Sequence, residues 1–142
     1  MIVCLDTNAF LQLFGRRSPY QPIVQALVEG RFALAVSTPI LLEYEEVARE
    51  LYGAIFWSEA SNFLHLAALA GQVRQVVPQF HFRLITADPD DDAQADCAIA
   101  AGADFIITED HHFNVLRNSG HRPQPITPAE FIQRVLPTLD PA

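Results

Sequence analysis

The sequence contains no lysine, only two cysteines and an excess of acids over bases, and each of these features excludes a class of protein. All nine basic residues are arginine and they face 17 acids, so the formal net charge is −8 at pH 7. This charge argues against non-specific nucleic-acid binding by bulk attraction, although it leaves room for a local site. Cys4 and Cys97 lie far apart in apolar segments, so we expect two buried free thiols rather than a disulfide framework.

Long apolar runs are also missing, and none approaches the roughly 20 residues that a transmembrane helix needs. The start, Met1–Asp6, has no basic region and soon reaches a carboxylate, which is not typical of a secretory signal. We therefore expect a cytoplasmic protein with no membrane partner. Half of the 142 residues are apolar. No repeat or linker divides them, so we predict a single domain over residues 1–142.

Short apolar runs alternate with amphipathic segments along the chain. Ile2–Leu5, Phe32–Val36 and Phe105–Thr108 are typical of buried strands, and shorter runs near Val76 and Ile126 are further candidates. This alternation predicts an α/β fold, a three-layer α/β/α sandwich around a mainly parallel sheet of four to five strands.

Acids stand at the predicted carboxyl ends of strands or at the helix starts beside them. Asp6 ends the first strand, Asp110 follows a later strand, Glu43 lies early in the helix after Ser37, and 90–92 is a run of three aspartates at a helix start. In a parallel sheet these positions share one edge, where four carboxylates could not all stay ionised without a counter-charge. Carboxylates favour hard cations such as Mg²⁺ or Mn²⁺, and no Cys/His grouping suits zinc.

Four motifs in this order resemble the PIN domain family, and the nearest branch is its toxin-like bacterial and archaeal members. The motifs are Leu5-Asp6-Thr7-Asn8, then Glu43 after Ser37-Thr38-Pro39, then Asp88-Pro-Asp-Asp-Asp92, and finally Gly102 to Asp110 with Thr108-x-Asp110 at its end. The resemblance runs from Met1 to about Phe113, and the remaining segment suits the last strand and helix of a PIN-like fold.

The resemblance implies an endoribonuclease that depends on Mg²⁺ or Mn²⁺ and cleaves RNA phosphodiester bonds. It assigns catalysis and metal binding to Asp6, Glu43, Asp91 and Asp110, with Asp92 and Asp96 as alternatives to Asp91. It also implies that four polar residues support these acids: Thr7, Asn8, Ser37 and Thr108.

The toxin-like branch implies partners as well. Its members are the toxins of toxin–antitoxin pairs, so we expect an RNA substrate, a small antitoxin protein and a homodimer. Arg16 and Arg17, in the loop after the first helix, are candidates for contacts with phosphates of the RNA. We expect His111 and His112 to lie exposed at a helix start.

Two other interpretations stay open. The chain could be a catalytically silent PIN-like module that binds RNA or protein, and a cleavage assay with labelled RNA and Mn²⁺ distinguishes this from a nuclease. A haloacid-dehalogenase-type phosphatase with Asp6 as nucleophile is less favoured. The second acid expected two residues later is Asn8, and the chain has no lysine to complete that site.

Overall fold

A single parallel sheet organises the chain. The structure, a computed structural model, describes residues 1–15, 17–86 and 88–140. Within them the sheet has five strands in the order β3-β2-β1-β4-β5, and every neighbouring pair is parallel. The strands are β1 (Ile2–Leu5), β2 (Ala33–Val36), β3 (Val73–Gln75), β4 (Phe105–Ile107) and β5 (Gln124–Ile126).

The central strand β1 and its neighbour β2 are buried on both sides. Val3–Leu5 in β1 and all of Ala33–Val36 in β2 are buried. Successive side chains of a strand point to opposite faces, so burial of consecutive residues requires cover on both faces of the sheet. The predicted three-layer α/β/α sandwich with a parallel sheet is confirmed.

Helices make up the connections. They are α1 (Thr7–Gln12), α2 (Gln21–Val28), α3 (Thr38–Tyr52), α4 (Ala54–Leu69), α5 (Pro89–Ala101) and the short α6 (Pro128–Glu130). A 3₁₀ helix, His111–Leu116, follows β4, and a π-helical turn, Phe131–Val135, and a 3₁₀ turn, Leu136–Thr138, follow α6. In the described part of the chain, no helix is both long and apolar enough to cross a bilayer.

Helix α5 illustrates how local sequence sets the element boundaries. The helix begins at Pro89, because Asp88 caps it by accepting a hydrogen bond from the backbone N–H of Asp90 at 2.9 Å. Proline at the first helical position suits this start, since it has no N–H to leave unpaired. Gly102, with a φ of +64°, ends the helix in the left-handed conformation.

The direction of the chain connections reverses between β1 and β4. From β1 the chain moves outward through β2 and β3, then returns through α5 to β4 on the other side of β1. Leu5 pairs with Ile107, so both strands end at the same level. Ligand sites of open parallel sheets form at such a reversal, outside the carboxyl ends of the strands.

Tyr44 fixes α3 to this edge of the sheet. It is fully buried, its ring stacks on Phe10 with centroids 4.0 Å apart, and its hydroxyl donates to the carbonyl oxygen of Leu5 at the end of β1. The neighbouring residue Glu43 is therefore held beside the carboxyl ends of the strands. Elsewhere in the core, Cys4 and Cys97 are buried and free, as predicted.

Candidate functional site

A polar pocket lies at the carboxyl ends of β1 and β4. Six acids from several elements contribute to its lining: Asp6, Glu43, Asp88, Asp90, Asp91 and Asp110. Thr7, Asn8, Val47 and Gln94 complete the lining. The four acids predicted as catalytic and metal-binding residues are thus brought together at the edge of the sheet where the sequence analysis expected them. Their role as ligands stays a prediction.

Asp6 is the most buried acid of the pocket, with 6% of its surface exposed. Its Oδ1 accepts a hydrogen bond from the backbone N–H of Ala9 at 2.8 Å, and its Oδ2 accepts one from the hydroxyl of Thr108. Burial raises the pKa of Asp6, and these two hydrogen bonds partly oppose the increase. Asp6 therefore has a fixed orientation in a setting that disfavours its negative charge.

Thr108 connects the two central strand ends. Its hydroxyl donates to Asp6 and accepts a hydrogen bond from the backbone N–H of Asp110 at 2.9 Å. Thr108 is itself 3% exposed, so this arrangement is buried. The residue that follows β4 thereby fixes the acid that follows β1.

Asp91 and Asp110 meet at the side chain of His112. Nδ1 of His112 lies 3.1 Å from Oδ2 of Asp91 and 3.4 Å from Oδ1 of Asp110. The backbone N–H of His112 also donates to Oδ1 of Asp110 at 2.9 Å. The expectation that His112 is exposed is therefore wrong, because the 3₁₀ helix turns its ring toward α5, whereas His111 is exposed as expected.

Glu43 faces other acids without a compensating cation among the residues that line the pocket. Desolvation, together with repulsion from Asp90 and Glu46, raises the pKa of Glu43 to about 7. Desolvation likewise raises the pKa of Asp91 to about 6, with His112 opposing the increase and Asp110 contributing to it. The pocket accumulates negative charge that the protein alone does not neutralise.

Asp92 and Asp96, the two alternatives to Asp91, bind backbone N–H groups outside the pocket. Asp92 accepts a hydrogen bond from the backbone N–H of Ile85 at 3.2 Å, and Asp96 accepts one from that of Phe82 at 2.9 Å. Neither is among the residues that line the pocket. Both carboxylates hold the segment that precedes α5.

Of the four residues predicted to support the acids, three lie at the pocket and one does not. Thr7 and Asn8 line the pocket, and Thr108 contacts two of its acids. Ser37 is buried at the end of β2 beside the thiol of Cys97, and its hydroxyl makes no capping hydrogen bond to α3. Of the two arginines, Arg17 is exposed, and Arg16 lies outside the described residues.

Three residues of this site were not predicted as ligands or as supports of the acids: Asp88, Gln94 and His112. Asp88 was identified as part of a motif, but its position at the start of α5 also places it in the pocket lining. Gln94 is 3% exposed and donates from Nε2 to the carbonyl oxygen of Leu5 at 2.7 Å. Its spacing of three residues from Asp91, one helical turn, was the available signal. His112 could have been found only from the packing of α5 against the 3₁₀ helix.

Potential ligand atoms cluster on the α5 side of the pocket. One ligand atom each from Asp88, Asp91 and His112 lies within 4.8 Å of the others, and the same holds for Asp110, His111 and His112. Oxygen donors predominate across the pocket, and imidazole nitrogen is available at its margin. This donor set suits Mg²⁺ or Mn²⁺.

Comparisons with known proteins agree with this geometry. The family model described as the PIN domain matches residues 2–112. The matched range includes all six acids of the pocket and the strands β1 to β4. A search of curated proteins found no match. Since the match to the family model covers well over half of the chain, this protein belongs to the PIN domain family.

Proposed function

We propose that this protein is a metal-dependent endoribonuclease that cleaves RNA phosphodiester bonds at the acidic pocket. PIN domains are nucleases as a class, and membership of the family is carried by the match to residues 2–112. The observation that supports activity in this chain is the convergence of Asp6, Glu43, Asp91 and Asp110 on one pocket. Each comes from a different part of the sequence, so the convergence depends on the fold.

The residues present fit a divalent cation. Burial raises the pKa values of Asp6, Glu43 and Asp91, and repulsion from neighbouring acids adds to the increase. Gln94 adds a buried amide oxygen, Oε1, that has no hydrogen-bond partner among the described residues. Asp6, Glu43, Asp91 and Asp110 would hold the cation.

A divalent cation in this pocket would offset the charge of the phosphate and lower the pKa of a water molecule. The protein contributes orientation. Thr108 holds Asp6, and the backbone and ring of His112 hold Asp110 and Asp91. The preference for RNA rests on the family resemblance, so the assay includes single-stranded DNA of the same sequence.

The central test is the variant Asp6→Asn. Asparagine keeps an oxygen that can cap α1, so we expect the fold to persist while cleavage of labelled RNA in Mn²⁺ falls by about a hundredfold or more, equivalent to about 2.7 kcal/mol. Circular dichroism and thermal unfolding check the fold. EDTA should abolish wild-type cleavage, and excess Mn²⁺ should restore it.

A matched pair of variants on α3 provides the control. Glu43→Gln removes a pocket acid, whereas Glu50→Gln neutralises an exposed glutamate two turns further along the same helix. We expect a loss of cleavage in Glu43→Gln only. Full activity of Asp6→Asn or Glu43→Gln would contradict the proposal. Metal binding without cleavage would favour the catalytically silent module.

The toxin role, the small antitoxin partner, the homodimer and the cytoplasmic location are part of the same proposal and rest on the resemblance. One structural feature favours a protein partner. Several large apolar side chains of α3 and α4 are more than half exposed: Leu42, Leu51, Tyr52, Ile55, Leu66 and Leu69. Light scattering tests the dimer. Co-purification with the product of the neighbouring reading frame tests the antitoxin.

A haloacid-dehalogenase-type activity is not supported, because the chain belongs to the PIN family.

A further inference from the structure

The connection between β3 and α5 is unusually long and has an unusual composition. Residues 76–86 and 88 belong to neither a helix nor a strand, and irregular connections of this length are uncommon unless they are functional or mobile. Aromatic and basic residues alternate at Phe80-His81-Phe82-Arg83, which we call the aromatic–basic segment. Between Glu59 and Asp88 the sequence contains no acidic residue, although the whole chain carries a net charge of −8.

Two carboxylates of α5 hold this segment and the residues after it in place. Oδ1 of Asp96 accepts from the backbone N–H of Phe82 at 2.9 Å, and Oδ2 lies 3.1 Å from Nδ1 of His81. Asp96 is 3% exposed. One helical turn earlier, Asp92 accepts from the backbone N–H of Ile85, which is buried. The connection is thus fixed to α5 within the aromatic–basic segment, at Phe82, and just after it, at Ile85.

The side chains of the segment nevertheless face solvent. Phe80 is 70% exposed and Phe82 is 38% exposed, with ring centroids 6.3 Å apart. The ring of His121 lies 5.2 Å from that of Phe82 and extends the aromatic surface. Arg83 is exposed and adopts a φ of +54°, which non-glycine residues rarely take. Unpaired nucleobases stack on exposed aromatic rings, and arginine contacts the phosphates between them.

The aromatic–basic segment and the acidic pocket both depend on α5. Asp92, which anchors Ile85, directly follows the pocket residue Asp91. Asp96, which anchors Phe82, lies four residues further along α5, about 6 Å along the helix axis. A nucleic-acid strand with one phosphate at the pocket could therefore continue along α5 and reach the aromatic rings with its neighbouring nucleotides.

We propose that Phe80, Phe82 and Arg83 form a binding surface for unpaired bases of single-stranded RNA on one side of the cleavage position. This inference rests on the proposed nuclease function. The exposed groups favour RNA over a protein as the occupant, since the rings of Phe80 and Phe82 can stack on bases and the exposed guanidinium of Arg83 complements a phosphate.

The test measures RNA affinity in the Asp6→Asn chain, which removes a pocket acid to prevent cleavage during the measurement. Fluorescence anisotropy follows binding of a labelled, unstructured oligoribonucleotide. We expect the double substitution Phe80→Ala with Phe82→Ala to weaken binding by about tenfold or more. Phe80→Tyr with Phe82→Tyr should restore it, because tyrosine also stacks. His65→Ala, which removes an exposed aromatic ring from α4, is the matched control and should leave the affinity unchanged.

A second substrate separates stacking from general attraction. Binding to the same sequence in a perfect duplex should change little in the alanine variant, because paired bases are not available for stacking. Unchanged affinity of the alanine variant for the single strand would overturn the proposal. So would a change in its solution mass with unchanged RNA affinity, which would identify the segment as a protein contact.

The outcome is distinguishable from failure of the nuclease proposal. If the wild-type chain cleaves RNA with Mn²⁺ while the alanine variant binds RNA normally, the nuclease proposal stands and the stacking surface is refuted. If wild type does not cleave but the alanine variant loses affinity for single-stranded RNA, the nuclease proposal fails and the stacking surface stands.

Discussion

Two acids of the pocket, Asp6 and Asp110, each cap a helix as well as lining the pocket. Asp6 caps α1 through Ala9 and also lines the pocket, and Asp110 caps the 3₁₀ helix through His112 while lining the same pocket. A cap of this kind stabilises a helix by about 1 kcal/mol. The acids are therefore oriented by ordinary secondary-structure contacts before any ligand binds.

Thr108 offers the clearest prediction for a single residue. Thr108→Val keeps the shape but removes the hydroxyl, leaving Oδ2 of Asp6 and the N–H of Asp110 without this partner. We expect the free energy of unfolding to fall by about 1–3 kcal/mol. Mn²⁺ affinity and cleavage should fall by about 10- to 100-fold, as for other residues that orient metal ligands. Urea unfolding and calorimetric Mn²⁺ titration measure the two effects.

Thr108→Ser is the control for this prediction. Serine retains the hydroxyl, so it should keep most of the Mn²⁺ affinity of wild type. Wild-type affinity and cleavage in Thr108→Val would show that the hydroxyl does not orient Asp6.

Helix α5 serves two surfaces at once. Its first turn contributes Asp90 and Asp91 to the pocket, while Asp92 and Asp96 bind the backbone of the preceding connection. Successive residues of a helix differ in direction by about 100°, because 3.6 residues complete a turn. The side chains of three adjacent aspartates therefore cannot all point to the same surface. The packing of α5 decides which of them face the pocket.

This division predicts different results for two substitutions on the same helix. Asp91→Asn should weaken Mn²⁺ binding by at least about tenfold and impair cleavage. Asp96→Asn keeps an acceptor for the backbone of Phe82, so Mn²⁺ affinity should stay at the wild-type level. Calorimetric titration with Mn²⁺ compares the two variants. Loss of Mn²⁺ affinity in Asp96→Asn, in a folded chain, would restore Asp96 as a candidate ligand.

At the scale of the whole molecule, the crowded carboxylates link stability to pH. The pKa values of Glu43 and Asp91 are about 7 and about 6 in the folded chain, whereas both groups titrate near pH 4 when unfolded. The folded state binds protons more tightly than the unfolded state between about pH 4 and pH 7. Raising the pH through this window therefore lowers the contribution of these groups to stability.

Glu43→Gln tests this linkage, because glutamine does not ionise. Thermal unfolding in EDTA should show that the variant gains stability relative to wild type as the pH rises from 5 to 8. Mn²⁺ should stabilise wild type more at pH 8 than at pH 5, since it binds the deprotonated carboxylates. A variant-to-wild-type difference independent of pH would contradict the raised pKa of Glu43.

Much of the architecture follows from local patterns in the sequence. Consecutive apolar residues in Ile2–Leu5 require burial on both faces, which in turn requires a covered parallel sheet. A parallel sheet puts all strand ends of one kind on one edge, so the acids after β1 and β4 had to lie on the same edge. That Asp6 and Asp110 share this edge was therefore predictable from the sequence, whereas the pairing of β1 with β4 was not.

Tertiary packing decided what local patterns leave open. The rotation of α5 about its axis brings Asp91 toward the pocket and turns Asp92 to the backbone of Ile85, and the run of three aspartates does not reveal this choice. The contact of His112 with Asp91 joins residues 21 positions apart. Local periodicity describes how one element exposes its faces. Which faces of two elements meet depends on how both pack on the sheet, and that is a property of the folded chain alone.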